Sequence, residues 1–82
     1  MAAAKHYIYI VECKDGTFYT GYTTDVERRV EEHNSGTGAK YTRGRYPVIL
    51  KYQESFSSRS QAQKREYQIK KLPRRKKEEL ID

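Results

Sequence analysis

Every residue of Tyr7-Ile8-Tyr9-Ile10-Val11 is aromatic or β-branched, and the run alternates, so a strand is predicted there. Lys14-Asp15-Gly16 reads as a turn, and residues 17–22 as the return strand. From Asp25 to about Asn34 the period lengthens, and Val26, Arg29, Val30 and His33 share one helical stripe. Thr24 with Glu27 is a capping-box pair that starts this helix near Asp25, and Asn34 or Gly36 supplies a left-handed end. Val48-Ile49-Leu50-Lys51-Tyr52-Gln53 is a third strand, entered after Pro47, where proline is tolerated. Ser57 or Ser58 then caps a helix that runs to about Lys71 and stops at Pro73. Its inward stripe is Ala62, Arg65, Glu66, Ile69 and Leu72. The order is β-β-α-β-α, with a short C-terminal helix after Pro73.

The first turn decides which side chains can meet. A two-residue type I′ turn would set Glu12 opposite Tyr19 and put Tyr9 and Tyr19 on opposite faces. A three-residue loop sets Val11 opposite Tyr19 and Tyr9 opposite Gly21, so both phenols share a face. Lys-Asp-Gly suits the longer loop, with Gly16 at the position that needs positive φ.

Eighty-two residues make one small domain, 1–82, in which 73–82 is a basic, partly frayed tail. Eight tyrosines and two phenylalanines compensate for a hydrophobic fraction of 35%. A net charge of +6 calls for a polyanionic partner, most simply nucleic acid. A single cysteine, Cys13, excludes an internal disulfide and favours a reducing, cytoplasmic setting. Met1-Ala2-Ala3-Ala4-Lys5 is too short for a leader core, and no apolar run reaches membrane-spanning length.

Candidate chemistry sits at odd points in this pattern. Arg29 and His33 occupy the stripe of the first helix that should face the sheet. Taken singly, Arg29 can snorkel past the valines and His33 can serve the helix dipole. Glu66 points where an apolar side chain belongs, so it pairs with Lys70 along the helix, with Arg29, or with a metal. Lys40, Tyr41, Arg43, Arg45 and Tyr46 interleave cations and aromatics on a glycine-punctuated loop, which suits phosphate contacts and base stacking. The same segment also reads as a plain connection with one helical turn at Ala39 to Thr42. The run Arg74-Arg75-Lys76-Lys77 adds backbone attraction or simply solubility. Tyr9, Tyr19, Arg29, His33 and Glu66, each explicable alone, converge from two strands and two helices.

At these residues the sequence resembles the GIY-YIG nuclease superfamily, most closely its small stand-alone bacterial members. Tyr7-Ile8-Tyr9 stands where the first tripeptide belongs and Tyr19-Thr20-Gly21 where the second does. Tyr7 replaces the usual glycine and Thr20 an aliphatic residue. Arg29 matches the family arginine, His33 the histidine one helical turn later, and Glu66 the metal-binding glutamate of the later helix. The resemblance implies an α+β (α/β) fold, a small three-stranded, mainly antiparallel sheet flanked by helices. It also implies metal-dependent phosphodiester hydrolysis with Mg²⁺ or Mn²⁺ at Glu66, on DNA before RNA, structure-preferring or non-specific. A non-catalytic nucleic-acid-binding module on the same scaffold is the alternative, and an activating protein partner stays open. In the catalytic reading Tyr9 is the general base and Tyr19 positions water or phosphate, or the two exchange roles. Lowering a phenol from its usual pKa to neutrality needs about 4 kcal/mol, so a tyrosine base predicts activity that rises toward alkaline pH. His33 is the other candidate base, with an unperturbed pKa of about 6.5.

Overall fold

β1 (His6–Glu12) runs between β2 (Phe18–Thr23) and β3 (Ile49–Phe56) and is antiparallel to both, so the sheet order is β2-β1-β3. This computed structural model describes residues 5–81; Met1 to Ala4, read above as too short for a leader core, and Asp82 lie outside them. As the central strand β1 is covered on both faces, which is why its residues 8–11 are buried without interruption. Even positions face α2 (Arg59–Lys70) and α3 (Arg74–Ile81), where Ile8, Ile10, Ala62 and Ile69 form an apolar cluster. Odd positions face α1 (Val26–Asn34), where Tyr9, Val11, Cys13 and Val48 pack with Tyr19, Val26 and Val30. Each fully buried isoleucine contributes roughly 1.5–3 kcal/mol.

The β1–β2 connection is the three-residue loop: Val11 pairs with Tyr19, Tyr9 pairs with Gly21, and Gly16 has φ +85°. Asp15 stabilises it by accepting from the Thr17 amide at 3.1 Å and hydroxyl at 2.6 Å. Both phenols therefore point to the α1 side.

Several boundaries differ from expectation by a residue or more, the cap of α1 and both ends of β3 among them. The cap of α1 is Asp25, whose carboxylate accepts from the Arg28 amide at 3.1 Å, and the Thr24–Glu27 box does not form. Thr23 helps by accepting the Asp25 amide at 3.1 Å. Asn34 does not take the left-handed position, which falls to Gly36 at φ +82°. Its amide instead ties the helix end to β3, the side-chain oxygen accepting the Val48 amide at 2.6 Å. β3 begins one residue later than predicted and continues through Phe56, because Glu54, Ser55 and Phe56 find ladder partners in Ile8, Tyr7 and His6. Between Ile10 and Val11 the β1–β3 register slips, leaving Lys51 as the extra residue of a bulge.

The segment read as a frayed tail is a docked helix. Leu80 and Ile81 of α3 pack on the apolar cluster. Arg74 donates to the Gly16 carbonyl at 2.7 Å and lies 4.2 Å over the Phe18 ring. No helix among the described residues is long and apolar enough to cross a membrane.

Candidate active site

Tyr9 is almost wholly buried, and the glycine opposite it explains how its ring fits. A Cβ at Gly21 would stand 2.5 Å from the Tyr9 hydroxyl oxygen, so the second tripeptide needs glycine for the first tripeptide's phenol to cross it. The Tyr9 hydroxyl lies 2.8 Å from His33 Nε2. Tyr19 stands beside both, with ring centroids 6.3 Å from Tyr9 and 5.4 Å from His33.

His33 has no exposed surface and is no bystander at a helix end. Its Nδ1 lies 2.7 Å from Thr42 Oγ1, in a 3₁₀ turn over Lys40–Thr42. Burial pushes the imidazole pKa below its usual value, helped by the Arg29 charge and opposed by Glu32, so the ring is neutral at neutral pH. Burial likewise pushes the Tyr9 phenol up to about 12; the charges of Tyr19 and Glu66 add to the rise, while Arg29 opposes it.

Arg29 is part-buried at the edge of this cluster and donates to Glu32 Oε1 at 3.0 Å. It also interacts with the Tyr9 hydroxyl, where its charge favours the phenolate. Glu66 belongs to α2, on the opposite layer of the sheet from α1. Its side chain is only 20% exposed and pairs with Lys70 at 3.2 Å, the along-helix partner, rather than with Arg29. Its charge is nevertheless felt at Tyr9.

The predicted loop residues divide. Tyr41 stacks on Tyr19 with centroids 5.7 Å apart, and Arg45 caps Tyr41 at 4.2 Å from the ring centre. Arg45 also pairs with Asp15 at 3.5 Å. Lys40 and Arg43 are exposed, and among the described residues neither has a carboxylate partner. Tyr46 lies over Gly36, at the end of α1. A groove of about 610 Å³ on the α1 side, lined by Tyr7, Val26, Val30 and Leu50, is rimmed by Asp25, Glu27 and Glu31. That rim has the wrong sign for a phosphate chain, so the phenol–imidazole cluster is the better candidate.

Thr42 and Gly38 are the contributors that sequence reasoning did not single out, and Gly21 figures there only as the residue facing Tyr9 and the end of the second tripeptide. A Cβ at Gly38 would stand 2.8 Å from the His33 Cα, so the loop reaches the imidazole only through glycine. The tripeptide register carried a signal for Gly21, since it faces Tyr9 across the ladder. Nothing local marks Thr42, whose partner is nine residues away.

Among the described residues no group of three or more His, Cys, Asp or Glu side chains could hold a metal. A single mostly buried carboxylate, with only a half-exposed lysine on it, still suits a hard divalent cation that keeps most of its water shell.

Comparison with known proteins gives the family and the fold. Residues 5–79 match the family model of the GIY-YIG catalytic domain. A UPF0213 protein of Halobacterium salinarum is 65% identical over 76 residues, covering 93% of this chain and 99% of its own. Another, from Staphylococcus haemolyticus, is 60% identical over 79 residues, covering 96% of each chain. The solution structure of the UPF0213 protein from Bacillus halodurans superposes with a TM-score of 0.61 at 58% identity, over 94% of this chain and 82% of that one. With a family model spanning almost its whole length, the two tripeptides paired across one ladder and their phenols on one face, the chain belongs to the GIY-YIG catalytic-domain family.

Proposed function

We infer that the protein is a metal-dependent nuclease that hydrolyses phosphodiester bonds in nucleic acid, DNA before RNA, without sequence targeting. Family membership supports the reaction class. The observation that carries the assignment of roles is the buried hydrogen bond between the Tyr9 hydroxyl and His33 Nε2, with Arg29 beside it.

That bond changes what the phenol does. Holding a free phenolate at pH 7 in a site where its pKa is about 12 would cost about 7 kcal/mol. A relay avoids the cost. A water oxygen attacks phosphorus, its proton passes to Tyr9 Oη, and the phenol's own proton passes to His33 Nε2. The bond from phosphorus to the leaving oxygen breaks, solvent protonates that oxygen, and the buried imidazolium later returns its extra proton to Tyr9 Oη, which releases one to water. Arg29 offers a planar donor fork to the non-bridging phosphate oxygens. Tyr19, edge-on to His33 and stacked on Tyr41, aligns water or phosphate. Glu66 is the carboxylate for Mg²⁺ or Mn²⁺, which when bound supplies charge stabilisation at the phosphate and the leaving oxygen. Lys40, Arg43, Arg45 and Tyr41 engage backbone and base.

The test is a panel of labelled single-stranded, duplex and branched DNA, and RNA, incubated with Mg²⁺, Mn²⁺ or chelator. Cleavage is expected only with metal, and is expected to be lost in Arg29→Ala and Glu66→Ala. Cleavage undiminished in Glu66→Ala would belong to another enzyme and would end this reading. Salt-dependent binding without cleavage of any substrate would replace it with a non-catalytic binding module, a reading that the Lys70–Glu66 pair favours.

A further inference from the structure

Within the basic loop, Lys40, Tyr41 and Arg43 turn outward while Thr42 is completely buried between them. The 3₁₀ turn makes this possible, since the Ala39 carbonyl accepts the Thr42 amide at 3.0 Å. The same carbonyl lies 2.9 Å from Thr42 Oγ1. A carbonyl can only accept and a hydroxyl has one proton, so the Thr42 proton points to Ala39. The lone pairs of Oγ1 then face His33 Nδ1 at 2.7 Å, and Nδ1 must be the donor. A neutral imidazole carries one N–H, which leaves Nε2 bare toward the Tyr9 hydroxyl at 2.8 Å. Donation thus runs one way, from Tyr9 to His33 to Thr42 to Ala39.

We propose that Thr42 is a positioning residue for the reaction: its hydroxyl, anchored on the Ala39 carbonyl, locks His33 in the Nδ1–H tautomer so that Nε2 faces Tyr9 as proton acceptor. In the other tautomer an N–H would point at the phenol oxygen, and lone pairs would confront each other at Nδ1. Burial keeps the ring neutral and so makes its tautomer matter. Gly38 completes the device, because any side chain there would push the loop off the His33 backbone.

This rests on the nuclease reading only for its kinetic part. The test uses the full chain with ¹⁵N-labelled histidine, as wild type, Thr42→Val and Thr42→Ser. In the wild type the His33 nitrogen shifts should report the proton on Nδ1. Thr42→Val keeps the shape and removes the acceptor; the proton should move to Nε2, and kcat should fall by about 10- to 100-fold with KM nearly unchanged. Thr42→Ser restores the hydroxyl and should restore both readings, which separates lost positioning from lost folding. Nε2–H in the wild type, or Nδ1–H retained in Thr42→Val with unchanged kcat, would overturn the proposal. If even the wild type cleaves nothing, the nuclease reading is what fails, and the nitrogen shifts alone decide where Thr42 puts the proton.

Discussion

On the α1 side of the sheet, Tyr9, His33 and Thr42 are buried and every polar atom of the chain they form has a partner. On the α2 side, Ile8, Ile10, Ala62 and Ile69 bury carbon alone, and Thr20, which pairs with Ile10 across the ladder, has the one buried side-chain polar atom without a partner among the described residues. The same short strand feeds both layers, because alternate residues of β1 point opposite ways. Both layers bury apolar surface, but only the α1 layer also orients a polar chain, so neighbouring substitutions in β1 should have separable consequences.

Tyr9→Phe should make the widest separation. Loss of the phenol proton is expected to lower kcat by about 10²- to 10⁴-fold while the fold persists, read by single-turnover cleavage alongside thermal unfolding. Its neighbour behaves oppositely: Ile10→Ala should lower unfolding free energy by about 2–5 kcal/mol in denaturant titrations, with the surviving folded fraction fully active. Equal damage to both properties by both variants would erase the distinction between the layers.

The pH profile sharpens the α1 side. His33 must be neutral to accept a proton and its pKa is pushed below the usual value, so kcat should fall about tenfold per pH unit only on the acid side of that lowered pKa. Above it, with the phenol up to about 12, the rate should stay level through pH 9. A steady climb toward alkaline pH, which a tyrosine base acting alone would give, would speak against the relay.

Gly21→Ala tests the crossing point of the two tripeptides. The added methyl meets the Tyr9 ring and must displace it, which should cost about 1–3 kcal/mol of stability and most of the activity. The smallest effect is expected on the apolar side, with the opposite sign. Thr20→Val replaces the partnerless hydroxyl with a methyl of similar volume and should raise stability by about 1 kcal/mol without altering cleavage.

What could be read from the chain was local. Lys14-Asp15-Gly16 set the loop length, the loop set the register, and the register put Tyr9 and Tyr19 on one face. Helix periodicity likewise turned Val26, Val30 and His33 toward the sheet. The rest depended on which of several available side-chain partners, near or distant in the chain, each group took. Asp25 displaced Thr24 as cap because Thr23 was free to hold its amide. The basic tail docks because Leu80 and Ile81 find the cluster around Ile8 and Ile10. Of the three partners open to Glu66 it takes the along-helix one, Lys70, while Arg29 lies on the other layer beside Tyr9. Thr42 could not be foreseen, since a hydroxyl in a glycine-rich loop carries no periodicity.

The bulge at Lys51 has a consequence for crowding. β3 is an outermost strand of eight residues with Ile49 largely and Leu50 partly uncovered, an edge on which another chain could zip. One extra residue throws the spacing of its outward amides and carbonyls out of step, and the ammonium there has to be stripped of water before anything can lie flat against it. Each of these features raises the cost of adding a foreign strand to this margin.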